Sequence, residues 1–135
     1  MAIMLDAGVV IQGEKGAFDL NAWLAAHSDE AFELAAITVA ELWHGVERAT
    51  PGHRLRRLNY LSAVVSVIPV IQYTEQTAYE HARIWAYLQK KGLTIGAYDL
   101  IVAATALERK SQVATFNRKH FEHVPGLKVI VPKQP

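Results

Sequence analysis

The chain has no cysteine. Disulfides, thiolate metal sites and thiol nucleophiles are therefore excluded together. It also has no apolar run approaching the roughly 18 residues that a membrane span needs, so no membrane association is expected. A glycine-rich phosphate loop is missing too: neither Gly8 nor Gly13 is followed by the Lys-Ser/Thr pair that completes one. There are no internal repeats, low-complexity tracts or linker segments. The opening Met1-Ala2-Ile3-Met4-Leu5 meets a charge at Asp6 without a basic leader. A signal peptide is accordingly not expected, and cytoplasmic residence is.

What the chain does contain is globular. Its 135 residues are 51% apolar and 20% charged, which sets wholesale disorder aside and predicts one domain over residues 1–135 with a core of its own. The net charge of +1 is unevenly spread. Residues 1–82 hold five Lys/Arg against ten Asp/Glu, and residues 83–135 hold nine against three. A further basic group, Arg48, Arg54, Arg56 and Arg57, lies inside the acidic half. Basic surface beside an acidic site suits an enzyme acting on a polyanion. Ordinary solvated helix faces account equally well for any one cluster.

Apolar spacing sets the order of elements. Ile3 to Leu5 reads as a buried first strand ending at Asp6, and Ala7-Gly8 opens a short segment through Ile11. A helix is expected around Leu20 to His27, then a strand over Phe32 to Ile37. Thr38 should begin the next helix, with Val39, Leu42, Trp43 and Val46 as its stripe. Pro51-Gly52 starts another, carrying Leu55, Leu58, Leu61 and Val65. Val67 to Ile71 reads as a strand that Pro69 confines to a sheet edge. Thr74 can cap a helix running to about Lys91, with Gly92 beyond its end. Ala97 to Lys110 is the clearest helix, facing Leu100, Ile101, Ala104 and Leu107 inward. Gln112 to Thr115 and Lys128 to Val131 supply two last strands. Trp23, Trp43 and Trp85 all read as core. Strands separated by helices imply an α/β fold with a mainly parallel sheet covered on both faces.

Three carboxylates, Asp6, Glu41 and Asp99, fall at strand ends or in opening helical turns, and Asn117 occupies a comparable place later. Parallel α/β folds bring such junctions to one edge of the sheet. Carboxylates about 5 Å apart repel by roughly 3 kcal/mol per pair at an effective dielectric of 20. A divalent cation relieves that repulsion, and magnesium takes hard oxygen ligands while keeping several waters. Each residue also has a purely structural explanation. Asp6 can be a turn former. Thr38 and Glu41 have the spacing of a capping box. Asp99 gains from the helix dipole, and Asn117 suits a loop. As site residues, Asn117 would bind a metal-held water or phosphate oxygen, and Thr115 would hydrogen-bond a neighbouring carboxylate. Arg118, Lys119 and His120 are placed to form a basic rim for phosphates. His120 and His123 lack a third partner for zinc.

The same residues resemble a known family. Ile3 to Ile11 (Ile-Met-Leu-Asp-Ala-Gly-Val-Val-Ile) resembles the first motif of PIN-domain proteins. Thr38-Val39-Ala40-Glu41-Leu42, with Gly45 a turn later, is similar to their second. Ile95 to Ala103 resembles the third. Thr115-Phe116-Asn117 with His120-Phe121 and Val124-Pro125-Gly126-Leu127 is similar to the last, especially in VapC-type toxins. The resemblance implies a three-layer α/β/α sandwich on a five-stranded parallel sheet. It also implies a Mg2+- or Mn2+-dependent endoribonuclease acting on single-stranded or looped RNA, with Asp6, Glu41 and Asp99 holding the metal. Catalysis would fall to those three with Asn117, and RNA contacts to Thr115, Arg118, Lys119 and His120. The expected partners are RNA, a VapB-type antitoxin and a second copy in a homodimer or larger assembly. Leu24, Trp43, Val46 and Leu58 are either core or part of a groove for that antitoxin. The chain departs from the family in carrying Ala7 and Gly8 where Thr or Ser and then Asn or Ser are common. Asn117 and His120 stand where acidic residues are frequent. The departures favour one cation over two and define the alternative, a weakly active or inactive PIN-like RNA-binding module.

Overall fold

β1 (Ile3–Leu5) is buried on both faces, as an unbroken apolar run in a parallel sheet must be. The chain then forms α1 (Ala7–Lys15), α2 (Leu20–Ala26), β2 (Phe32–Ala35), α3 (Ala36–Arg48), α4 (Pro51–Val67) and β3 (Val70–Ile71). α5 (Glu75–Lys90), α6 (Ala97–Arg109), β4 (Gln112–Ala114), a short 3-10 turn (Arg118–His120) and β5 (Val129–Ile130) complete it. The computed structural model describes residues 1–133.

All strand pairs are parallel, in the order β3-β2-β1-β4-β5. Side chains alternate across the sheet and feed two cores. Ile3, Leu5, Leu34 and Ala114 pack with Val9, Val10, Trp23, Leu42, Val46 and Leu61 under α1 to α4. Met4, Ala35 and Val113 pack with Ile84, Leu88, Leu100, Val102 and Phe121 under α5 and α6. The result is the expected α/β/α sandwich. β1 sits centrally: the chain leaves it toward β2 and β3, and later returns on its other side as β4. The crevice between the carboxyl ends of β1 and β4 is thus the topological switch point, where open parallel sheets bind ligands.

Several boundaries differ from the sequence reading. β2 ends at Ala35 and α3 begins at Ala36 without an intervening loop, because Ala36 and Ile37 continue an apolar run that fits strand or helix alike. Thr38 is therefore the third residue of α3, and the N-cap is Ala35, which offers no side-chain bond. The capping box between Thr38 and Glu41 does not exist. β3 is shorter than expected, with Val67 ending α4 at 75% exposure, but it does lie at the sheet edge. α6 is buried almost all round, beyond the expected stripe, because it packs on both α5 and the sheet. Trp23 is core and Trp43 packs against it, whereas Trp85 is exposed and stacks on His81. Leu55 is likewise exposed. Val46 is buried, and Leu24, Trp43 and Leu58 pack against the same core, which is the core alternative of the reading above.

Two local devices hold the helices. A Cβ at Gly13 would stand 2.6 Å from the Tyr60 hydroxyl and 2.9 Å from Leu20 Cβ, so only glycine lets α1 approach that closely. At the far end of α6, Arg109 donates to buried Glu33 through Nε at 3.0 Å and through Nη2, and Ser111 donates to the other oxygen at 2.6 Å. Arg109→Ala leaves Glu33 with only Ser111, and water reaches the vacated side in part. Urea denaturation of that variant should show a loss of about 1–3 kcal/mol.

Candidate active site

Asp6 is the first residue past β1 and caps α1. One carboxylate oxygen accepts from Ala7 N at 2.9 Å, and the other accepts from Thr115 Oγ1 at 2.7 Å. Thr115 follows β4, the neighbouring strand, and its Oγ1 in turn accepts from Asn117 N at 2.9 Å. The turn-forming and site roles of Asp6 are thus compatible: the hydrogen bonds that make it a cap also fix its carboxylate at the crevice. Thr115 is fully buried, so it is removed from the RNA-contacting residues. Its hydroxyl instead orients Asp6, and burial leaves no face for a substrate.

Asp99 lies in the first turn of α6, after Gly96, and its Oδ2 is 2.9 Å from His120 Nδ1. Glu41 lies mid-way along α3 and has one oxygen, Oε1, buried without any hydrogen-bond partner. The three carboxylates share one electrostatic neighbourhood. Burial first, then the charge of Asp6, then that of Asp99 push the Glu41 carboxyl up to about 7. Burial and then Asp6 raise Asp99 as well, while the charge and hydrogen bond of His120 pull it back down. The topology therefore brings together residues 93 positions apart in the chain (99 − 6).

The surroundings are open and partly basic. A hollow of about 510 Å³ beside Asp99 is lined by Ile95, Gly96, Lys119 and His120. Another of about 460 Å³ on the Glu41 side is lined by Ile37, His44 and Tyr98. Asn117 is exposed and borders a third, with Gly8, Gln12 and Phe116, to one side of the carboxylates. Arg118 is exposed and donates to Val129 O at 3.3 Å. The other basic cluster is largely engaged: Arg57 binds Glu14 and Gly45 O, and Arg54 binds Glu47 and Val46 O. Those residues tie α4 to α1 and α3. His44 and Tyr98 were not singled out in the sequence. For Tyr98 a signal existed, an aromatic residue beside Asp99 on the solvent side of a first helical turn.

The PIN domain family model matches residues 3–127. This chain belongs to the PIN-domain family. Ribonuclease VapC1 of Rickettsia felis is 30% identical to it over 131 residues, 96% of each chain. The tRNA(fMet)-specific endonuclease VapC of Salmonella typhimurium is 32% identical over 96 residues, 71% of each. The crystal structure of DNA-bound VapBC from Salmonella typhimurium matches with a TM-score of 0.88 at 27% identity, covering 97% of this chain and 98% of that one.

The raised Glu41 carboxyl makes a stability prediction. Between about 4.5 and 7 the folded protein holds a proton that the unfolded chain has released, so stability falls as pH rises through that window. Glu41→Gln removes the effect. Thermal melts in EDTA should find the variant more stable than the parent at pH 8, with the gap closing toward pH 4.5.

Proposed function

We propose that this chain is a divalent-metal-dependent endoribonuclease, the toxin of a VapBC-type toxin–antitoxin pair, cutting single-stranded or looped RNA. The observation that carries the reading is the convergence of Asp6, Glu41 and Asp99 at the switch-point crevice, where the charge of Asp6 raises the cost of ionising both Glu41 and Asp99. Two relatives named as a ribonuclease and a tRNA endonuclease support the substrate class. The donor set fits Mg2+ or Mn2+: every charged group is a hard carboxylate oxygen, and burial beside two other carboxylates makes Glu41 costly to ionise without a counter-ion. Among the described residues no three acidic or histidine side chains form a ready ligand cage. An ion that retains several waters does not need one.

Asp6, Asp99 and Glu41 would hold the cation, directly or through water. Such an ion supplies charge neutralisation at the phosphate and a more acidic water. The chain's own contributions can be assigned. Thr115 and the α1 N-terminus keep Asp6 aimed. Glu41, on the same crevice, is suited to orient the attacking water. Arg118, Lys119 and His120 are exposed where phosphates of the strand would pass, and Asn117 extends the polar rim. A VapB-type antitoxin and a homodimer or larger assembly belong to the same reading. The solved VapBC complex supports the first. Among the described residues no helix is long and apolar enough to cross a membrane.

The test is RNA cleavage by pure protein with Mn2+ or Mg2+. EDTA should abolish it. Asp6→Asn and Asp99→Asn should each lower it about a hundredfold or more, a few kcal/mol of lost charge stabilisation. Cleavage unaffected by EDTA removes the metal mechanism. RNA binding without metal-dependent cleavage favours the alternative module, to which Ala7, Gly8 and Asn117 point.

A further inference from the structure

Each carboxylate in the crevice has a side chain that fixes it, except one. Thr115 donates to Asp6 at 2.7 Å, and His120 stands 2.9 Å from Asp99. Glu41 has no such partner, and its Oε1 is sealed from solvent. Among the described residues one other buried side-chain oxygen shares that condition, Thr38 Oγ1. Thr38 is 0% exposed and stands three residues before Glu41 on the same helix. Residues at that spacing are neighbours on one helical face, about 4.5 Å apart along the axis.

Two buried orphans three residues apart on one helix call for a reason, since such groups are costly and rare. Their chemistry is complementary: a hydroxyl can donate, and an ionised carboxylate only accepts. The usual resting place of a helical threonine is also declined here. Thr105 returns its hydroxyl to Ile101 O at 2.7 Å, one turn back in α6, whereas Thr38 makes no such bond. Capping is not its role either, because Ala35 is the N-cap.

We propose that Thr38 is a positioning residue for Glu41, donating its hydroxyl to the buried carboxylate oxygen and so aiming the other oxygen at the cation and its waters. The inference rests on the metal-dependent reading above. It makes Thr38 the counterpart on α3 of Thr115 after β4.

Thr38→Val keeps the shape and removes the hydroxyl; Thr38→Ser keeps the hydroxyl. Calorimetric titration with Mn2+ and melting in EDTA should be run on both, beside Asp6→Asn. Thr38→Val should melt at or above the parent temperature in EDTA, yet bind Mn2+ about 10- to 100-fold more weakly, as loss of an outer ligand-orienting bond does. Its RNA cleavage at saturating Mn2+ should lose kcat with KM unchanged, and Thr38→Ser should recover both affinity and kcat. Mn2+ affinity within twofold of the parent overturns the assignment. A lower melting temperature in EDTA with no rescue by serine does so too, since that is packing alone. If Asp6→Asn loses Mn2+ while Thr38→Val keeps it, the metal reading stands and Thr38 falls. A folded parent that binds no Mn2+ ends both.

Discussion

Mutual repulsion among one buried and two half-buried carboxylates is the constraint around which this structure is arranged. Asp6, Glu41 and Asp99 would each be easier to accommodate far from the others and in water. Instead the fold holds them close enough that burial and neighbouring charge move Glu41 to about 7. Nothing in the stability of an α/β/α sandwich requires that. Natural proteins break local rules of this kind chiefly at functional sites.

The architecture supplies the rigidity to hold such an arrangement. β1 and β4 are adjacent, so the residues following them meet, and the Thr115–Asp6 hydrogen bond spans 109 positions of sequence. α3 leaves β2 without a loop and carries Glu41 toward the same edge. α6 presents Asp99 from its first turn and is anchored at its other end by Arg109 on Glu33. Glu41 and Asp99 therefore stand on helices packed into the two cores, and Asp6 on the single residue that joins β1 to α1, none of them on a free loop.

Much of this was legible in the residues. The strand before Asp6, the edge position forced by Pro69, the cap at Thr74 and the helix beginning at Ala97 all follow from local chemistry and are found in the structure. The motif resemblance assigns the three carboxylates to one site, and in the structure the charges of Asp6 and Asp99 both act on Glu41. What failed has physical causes. Ala36 and Ile37 are apolar and silent about where strand becomes helix, so Thr38 looks like a cap in the sequence. Thr115 is a polar residue next to a basic run, and only its burial shows that it serves Asp6. Trp85 keeps helical spacing with the inward residues of α5 but points outward. The Asp99–His120 contact joins side chains whose proximity depends on how the turn after β4 folds back.

The arrangement makes physical sense if a cation completes it. Glu41 feels the charges of both Asp6 and Asp99, Asp6 is already fixed by two donors, and the crevice is open to solvent on either side. The direct measurement is anomalous diffraction from a crystal grown with Mn2+. The account predicts a manganese peak between Asp6, Glu41 and Asp99, bound directly or through ordered water. An empty crevice at saturating Mn2+, or a peak held by none of the three, contradicts it.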